Sequence, residues 1–213
     1  MREDPELQAM LHGGGHDDEL WLISYADLLT LLIGFFVLLL AVSPPKTAQF
    51  ERMAASITGE ATPLEELKEK VDGFITQEGL QKKVLTRQEA DGLAIEFKDA
   101  LLFDSGSAEL RAEGAAAIAP IARMLQTLPR RALVIEGYTD DVPIHTPRFA
   151  SNWELSSQRA INVRTTLEQS GVSRERMSVR GFADTRRVEA AGGNSGTPEE
   201  QRAANRRVVI RVE

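Results

Sequence analysis

The sequence predicts an α/β (α+β) sandwich with helices on one face of a sheet, preceded by a single membrane-spanning helix and a short connecting stretch. Two observations carry this. Residues 20–42 are apolar almost without interruption, and from Leu93 onward short strand-like runs alternate with longer helical ones. The formal charge of −7 gives nucleic acid no electrostatic hold. The absence of cysteine excludes disulfides, thiolate zinc sites and a cysteine nucleophile.

The apolar run LWLISYADLLTLLIGFFVLLLAV carries one charged residue, Asp27. As a helix it reaches roughly 34 Å, enough to cross a bilayer core. Trp21 and Tyr25 stand at its start, where interfacial aromatics are favoured. Ser43-Pro44-Pro45 ends it, because proline cannot continue a helix. A cleaved signal peptide is the rival reading, since Ala41-Val42-Ser43 resembles a cleavage site. The leading residues are acidic, however, with Arg2 the one basic residue among them, and the run is long for a signal core. An uncleaved anchor is therefore expected. The acidic leading flank, with Lys46 and Arg52 after the span, weakly favours the orientation opposite to the one adopted below.

Asp27 is the informative residue. A carboxylate in a spanning helix costs about 2.5–3.5 kcal/mol on insertion scales, and the span contains no Lys, Arg or His to pair with it. Such a group is kept when it faces a protein interior, a water path or an ion. Ser24, Asp27, Thr30, Leu31, Gly34, Leu38 and Ala41 fall on one stripe that is polar or small near Asp27. Small residues let another helix approach closely. The expected behaviour is a switch between a cation-loaded, neutral form and a charged form. The bland alternative is an aspartate snorkelling to the interface, roughly 10 Å from the start of the segment.

After the span, Phe50, Met53, Ala54 and Ile57 lie at helical spacing. Thr62-Pro63-Leu64-Glu65 is a helix start with a cap, an N1 proline and a capping-box glutamate. Leu64, Leu67, Val71 and Phe74 or Ile75 form an apolar stripe that fits either the following domain or a second copy of the chain. Asp91-Gly92 between residues 84–88 and 93–97 predicts a β-hairpin. Strands are then expected at 132–138, 177–181 and 207–212. Helices are expected at 112–127, where Pro120 is a candidate kink, and at 152–170, ended by Gly171. A further helix opens at Thr197-Pro198-Glu199-Glu200 with a second capping box.

Two resemblances follow from these residues. The pattern from Trp21 to Ser43, with Tyr25-Ala26-Asp27 and Phe35-Phe36, resembles the MotB/PomB family of flagellar motor stator subunits. The last 120 or so residues resemble the OmpA-like peptidoglycan-binding domain. The matching stretches are Phe103-Asp104 with Ala108-Glu109-Leu110, Glu136-Gly137-Tyr138-Thr139-Asp140, Leu155-Ser156 with Arg159-Ala160, Gly181-Phe182, and Asn205-Arg206-Arg207-Val208. Asp140-Asp141-Val142-Pro143-Ile144 and Asn152-Trp153-Glu154-Leu155-Ser156 look like the motor subset. The chain departs from the pattern after Gly181, where Ala183-Asp184 stands in place of a frequent glycine and Arg186-Arg187-Val188 replaces a following proline.

The resemblance implies a cytoplasmic tail at 1–19, a transmembrane helix at 20–43, a plug at 44–58 built on Phe50, Met53 and Ile57, a periplasmic linker at 59–92 and an OmpA-like domain at 93–213. It makes Asp27 the ion-binding residue, with H+ or Na+ as the transported ion and no bound cofactor. It assigns Asp140 and Arg159 to the ammonium and carboxylate of the diaminopimelate in the peptidoglycan stem peptide, supported by Asp104, Thr139, Asn152, Leu155 and Arg206. A guanidinium fork binds a carboxylate bidentately; from spacing alone an Asp and an Arg nineteen positions apart would be a surface ion pair or nothing. The implied partners are a multi-span MotA/PomA-type subunit, a second copy of the chain, peptidoglycan and the inner membrane. The C-terminal domain is implied to lie in the periplasm. An enzyme is not expected, because His12, His16 and His145 have no metal spacing with acids and no phosphate loop or triad context appears. The rivals are a non-conducting wall anchor, a stator-like unit of a non-flagellar envelope machine, and a secreted binding module.

Overall fold

The computed structural model describes residues 17–42, 62–90, 92–188 and 197–213. The chain divides into two units between Lys46 and Thr47. In the first, helix α1 (Asp17–Val42) contains a stretch, Trp21–Ala41, long and apolar enough to cross a membrane. The Leu, Ile, Val and Phe side chains of that stretch are exposed. Trp21 and Tyr25 contact each other at 6.2 Å between ring centroids, as do Phe35 and Phe36 at 6.1 Å. The predicted plug, with Phe50, Met53 and Ile57, lies outside the described residues.

The second unit opens with α2 (Pro63–Gln77), whose Thr62–Glu65 capping box forms as the sequence indicates. The hairpin follows, with β1 (Val84–Glu89) antiparallel to β2 (Gly92–Lys98) and Glu89 opposite Gly92. A one-turn helix α3 (Asp99–Leu102) leads to α4 (Ala112–Leu125), which carries Pro120 inside it. Then come β3 (Leu133–Tyr138), α5 (Asn152–Gln169), β4 (Met177–Gly181), α6 (Pro198–Asn205) and β5 (Arg207–Val212). A second capping box, Thr197 with Glu200, starts α6. The sheet order is β1-β2-β5-β3-β4, antiparallel throughout except for the parallel pair β3–β4.

Period-two alternation divides the sheet into two faces. Leu93, Ile95 and Phe97 of β2, Leu133 and Ile135 of β3, and Val208, Ile210 and Val212 of β5 enter one large core. Leu64, Leu67, Val71 and Ile75 of α2 pack into the same core, together with Ile118, Ile121 and Leu125 of α4 and Ala160, Val163 and Leu167 of α5. The stretch predicted as a linker therefore supplies a helix and an edge strand to the domain's own core, and its apolar stripe is spent within the chain. Each such side chain contributes about 1.5–3 kcal/mol of burial. The opposite face holds Ala94, Tyr138 and Val209, with Phe182 packed against them. There Glu136, 1% exposed, accepts from Tyr138 Oη and Arg211 Nε, both at 2.7 Å. The expected sandwich with helices on one sheet face is the fold observed.

The departure after Gly181 has a physical counterpart. Ala183 adopts φ +48°, the one non-glycine positive φ among the described residues. It is locked there: its N–H donates to Ser156 Oγ at 3.1 Å and its carbonyl accepts from the Thr139 N–H at 2.9 Å. An L-residue in this region costs about 1–2 kcal/mol, against about 0.5–1 kcal/mol of added chain entropy for glycine. Ala183→Gly also removes a buried methyl group worth about 0.8 kcal/mol, so the terms cancel and the variant is expected to stay within about 0.5 kcal/mol of the wild type, read as an unchanged urea midpoint.

Candidate functional site

The strands β2 and β3 end on the same side as the start of α5, and the segments leaving them enclose a cavity of about 710 Å³. Asp99, Phe103, Asp104 and Arg111 line it from the segment after β2. Thr139, Asp140, Val142 and Ile144 line it from the loop after β3, Asn152, Leu155 and Arg159 from α5, and Glu199 and Arg206 from α6 and its end. Every residue predicted for the wall site is present, drawn from four separate stretches of sequence.

Two glycines let α5 come close enough. A Cβ on Gly137 would lie 2.0 Å from the Ser156 carbonyl oxygen, and one on Gly181 2.1 Å from Ser157 Oγ. The helix therefore rests on bare backbone of β3 and β4. Ser151 caps it, accepting from the Trp153 N–H at 3.2 Å. Its buried face runs Leu155, Ser156, Arg159, Ala160, Val163 and Leu167, which places a guanidinium in an otherwise uncharged stripe.

Arg159 is 2% exposed. Its Nε donates to the Ser107 carbonyl at 2.9 Å, its guanidinium carbon lies 5.0 Å from the Phe103 ring centre, and Nη1 is 2.9 Å from Asp99 Oδ1. That last contact is an ion pair that lies off the N–H direction. Asp99 Oδ1 is buried and accepts no hydrogen bond among the described residues. Burial pushes the Asp99 carboxyl up to about 6, while Arg159 and Arg206 pull the other way. Burial also pulls Arg159 down, with Asp99 and Asp140 opposing; an arginine remains a cation at neutral pH all the same.

Asp140 does not pair with Arg159. Its Oδ2 accepts from Arg206 Nη1 at 2.6 Å and its Oδ1 from the Val142 N–H at 3.3 Å. Arg206 also reaches Glu199 at 3.3 Å. Asn152 works on the backbone, its Nδ2 donating to the Asp140 and Val142 carbonyls at 3.3 and 3.0 Å. Thr139 Oγ1 donates to the Asp140 carbonyl at 3.0 Å. Leu155 packs with Ala108 and Phe149 under the loop. Asp104 is exposed at the mouth, 3.8 Å from Arg111. The cavity thus pairs opposite charges, Asp99 with Arg159 and Asp140 with Arg206, so a zwitterion entering it meets donors and acceptors of both signs.

Sequence reasoning missed Asp99, Ser107, Arg111 and Glu199. Asp99 did leave a signal, since it is an acid set among Phe97, Leu101, Leu102 and Phe103, which are all buried. Ser107 contributes through its backbone, which no side-chain pattern reveals.

In the first unit, Asp27 is on α1, where Thr30 Oγ1 donates to its backbone carbonyl at 2.8 Å. The polar stripe is therefore partly turned inward on the helix itself.

The family model "OmpA family" matches residues 102–206, which contain most of the cavity wall. The model "Membrane MotB of proton-channel complex MotA/MotB" matches residues 7–60. Motility protein B of Bacillus subtilis is 30% identical, over 94% of this chain and 93% of its own length. The chain belongs to the motility protein B family. Among solved structures, the cell wall anchor of the type VI secretion system from Pseudomonas aeruginosa is 30% identical, with a TM-score of 0.57 over 67% of this chain and 95% of that one. The periplasmic domain of Helicobacter pylori MotB is 29% identical, with a TM-score of 0.54 over 61% of this chain and 81% of that one. This motility protein B relative thus combines a helix long and apolar enough to cross a membrane with an OmpA-like domain, and the family is not an enzyme class.

Gly137→Ala is expected to force α5 off the sheet. It should cost at least about 1–3 kcal/mol, read as a lower urea midpoint, and should separate Arg159 from Asp99 in a structure of the variant.

Proposed function

We propose that this chain is the ion-conducting, wall-anchored stator subunit of a bacterial flagellar motor. In this reading the span crosses the inner membrane once, with the tail at 1–19 in the cytoplasm and the C-terminal domain in the periplasm. Two copies sit within a MotA/PomA-type partner, and residues 44–58 act as the plug. The observation that carries the reading is Asp27, the one charged residue within a stretch, Trp21–Ala41, able to cross the bilayer. A group so costly to insert is retained for ion traffic. H+ or Na+ binding neutralises it, release restores the charge, and each charge crossing the full potential yields about 2.3 kcal/mol per 100 mV. The ring of partner helices follows this change and turns the rotor.

Torque needs a fixed point, and the cavity supplies it. The free end of diaminopimelate carries an ammonium and a carboxylate. Arg159 takes the carboxylate, and Asp140, held by Arg206, accepts from the ammonium; Thr139 and Asn152 fix the Asp140 loop. Likeness to a secretion-system wall anchor favours a second reading, a tether in another envelope machine, which has no use for Asp27.

Asp27→Asn should abolish torque while the complex still assembles, measured by tethered-cell rotation and co-purification; normal rotation sinks the motor reading. Arg159→Lys keeps the charge and loses the fork. It should weaken retention of the full chain, in detergent, on peptidoglycan sacculi by tenfold or more, at about 1.5–3 kcal/mol per charged hydrogen bond lost. Unchanged retention contradicts the assignment.

A further inference from the structure

Asp99 has no part in the ligand contacts just proposed, yet it is the nearest charge to the residue that makes them. Asp99 is 7% exposed and sits at the first turn after β2. Arg159 faces it from α5 at 2.9 Å. Arg206 faces it from the end of α6, and Asp140 from the loop after β3, both close enough to act on its charge. Asp104 and Arg111 on the cavity wall, and Glu199 on Arg206, complete the charged surroundings. One Asp99 oxygen accepts no hydrogen bond. Attraction to Arg159 and Arg206 holds the carboxylate. Breaking a buried ion pair is costly when it leaves a charge uncompensated, and a ligand carboxylate that takes over as counter-ion leaves none on the guanidinium.

Building on the wall-binding reading above, we propose that Asp99 is the positioning residue of Arg159: it holds the guanidinium in place while the cavity is empty, and takes up a proton as a ligand carboxylate replaces it as the counter-ion. Two carboxylates cannot share one buried guanidinium without one of them being driven toward its acid form. The ligand's α-carboxylate is much the stronger acid and stays ionised. Asp99, already displaced to about 6 by burial, is the one that protonates. The covalent bookkeeping is a single proton gained by Asp99 Oδ1 or Oδ2 from solvent, with no other bond made or broken.

The sign follows from linkage. Asp99 holds its proton more tightly with ligand bound than without. Below about pH 6 it is protonated in both states, and affinity is level and high. Above that, binding must bring a proton in, so affinity falls as pH rises until the bound form also deprotonates. The ligand does not titrate in this range. The one histidine among the described residues, His145, lies at the Ala150 carbonyl and does not line the cavity.

The test is binding of a soluble muropeptide ending in diaminopimelate to the full chain in detergent, from pH 5.5 to 7.5. The wild-type chain is expected to bind about tenfold more tightly at pH 5.5 than at 7.5. Asp99→Asn mimics the protonated acid, so it should bind at pH 7.5 as the wild type does at 5.5, with a flat profile. His145→Gln should keep the wild-type slope. Calorimetry in two buffers of different ionisation enthalpy should show proton uptake approaching one per site near pH 6.5–7, a readout that stands even where the Asn variant fails to fold. A flat wild-type profile, absence of proton uptake, or a retained slope in a folded Asp99→Asn chain overturns the proposal. A merely structural Asp99 would lower affinity equally at every pH. Absence of muropeptide binding at all pH values overturns the wall-binding reading, and this one with it.

Discussion

A guanidinium buried to 2% exposure is a constraint that most of the C-terminal domain is arranged to satisfy. Taking such a charge out of water costs several kcal/mol unless a counter-ion and hydrogen-bond acceptors are already in place. Arg159 has them from three directions: Asp99 after β2, the Ser107 carbonyl on the following loop, and the Phe103 ring beneath. Each of those depends on β2 leaving the sheet where it does. Arg159 in turn depends on α5 lying flat on the glycines of β3 and β4. The charge is thus the meeting point of the two halves of the sheet.

The same reasoning explains why Asp140 and Arg159, though both on the cavity wall, are not partners. Each carries its own counter-charge, Arg206 and Asp99 respectively. With separate partners, both present their remaining hydrogen-bonding capacity on one surface. Pre-organised donors and acceptors of this kind lower the ordering cost of binding.

Much of this was legible in the residues. The capping boxes at Thr62 and Thr197, the hairpin at Gly92 and strands β4 and β5 follow from local chemistry alone, and the structure has them where expected. The apolar stripe of α2 was legible too, but its destination was not. A stripe states that something is covered, and the sheet contacts state what. That Asp140 and Arg159 line one cavity was legible through the motif set. Asp99 showed only as an acid among buried apolar residues, and its contact with Arg159 was not legible, because that comes from a helix sixty residues later. Ala183 lay between these cases. Its departure from a common glycine was visible in the sequence, and the positive φ gives the reason. The role proposed for Asp27 rests on the cost of a charge in hydrocarbon, which is read from the sequence.

The strand order carries one more consequence. The last strand of the chain, β5, lies at the middle of the sheet, between the hairpin β1–β2 and the parallel pair β3–β4. Until it inserts, these are two separate fragments with open edges. Arg206, the residue just before it, arrives at Asp140 in the same event. A chain cut short by even its last dozen residues would lose the bridge and the finished cavity together. The sheet and the cavity are therefore completed together, and a fragment lacking β5 keeps neither.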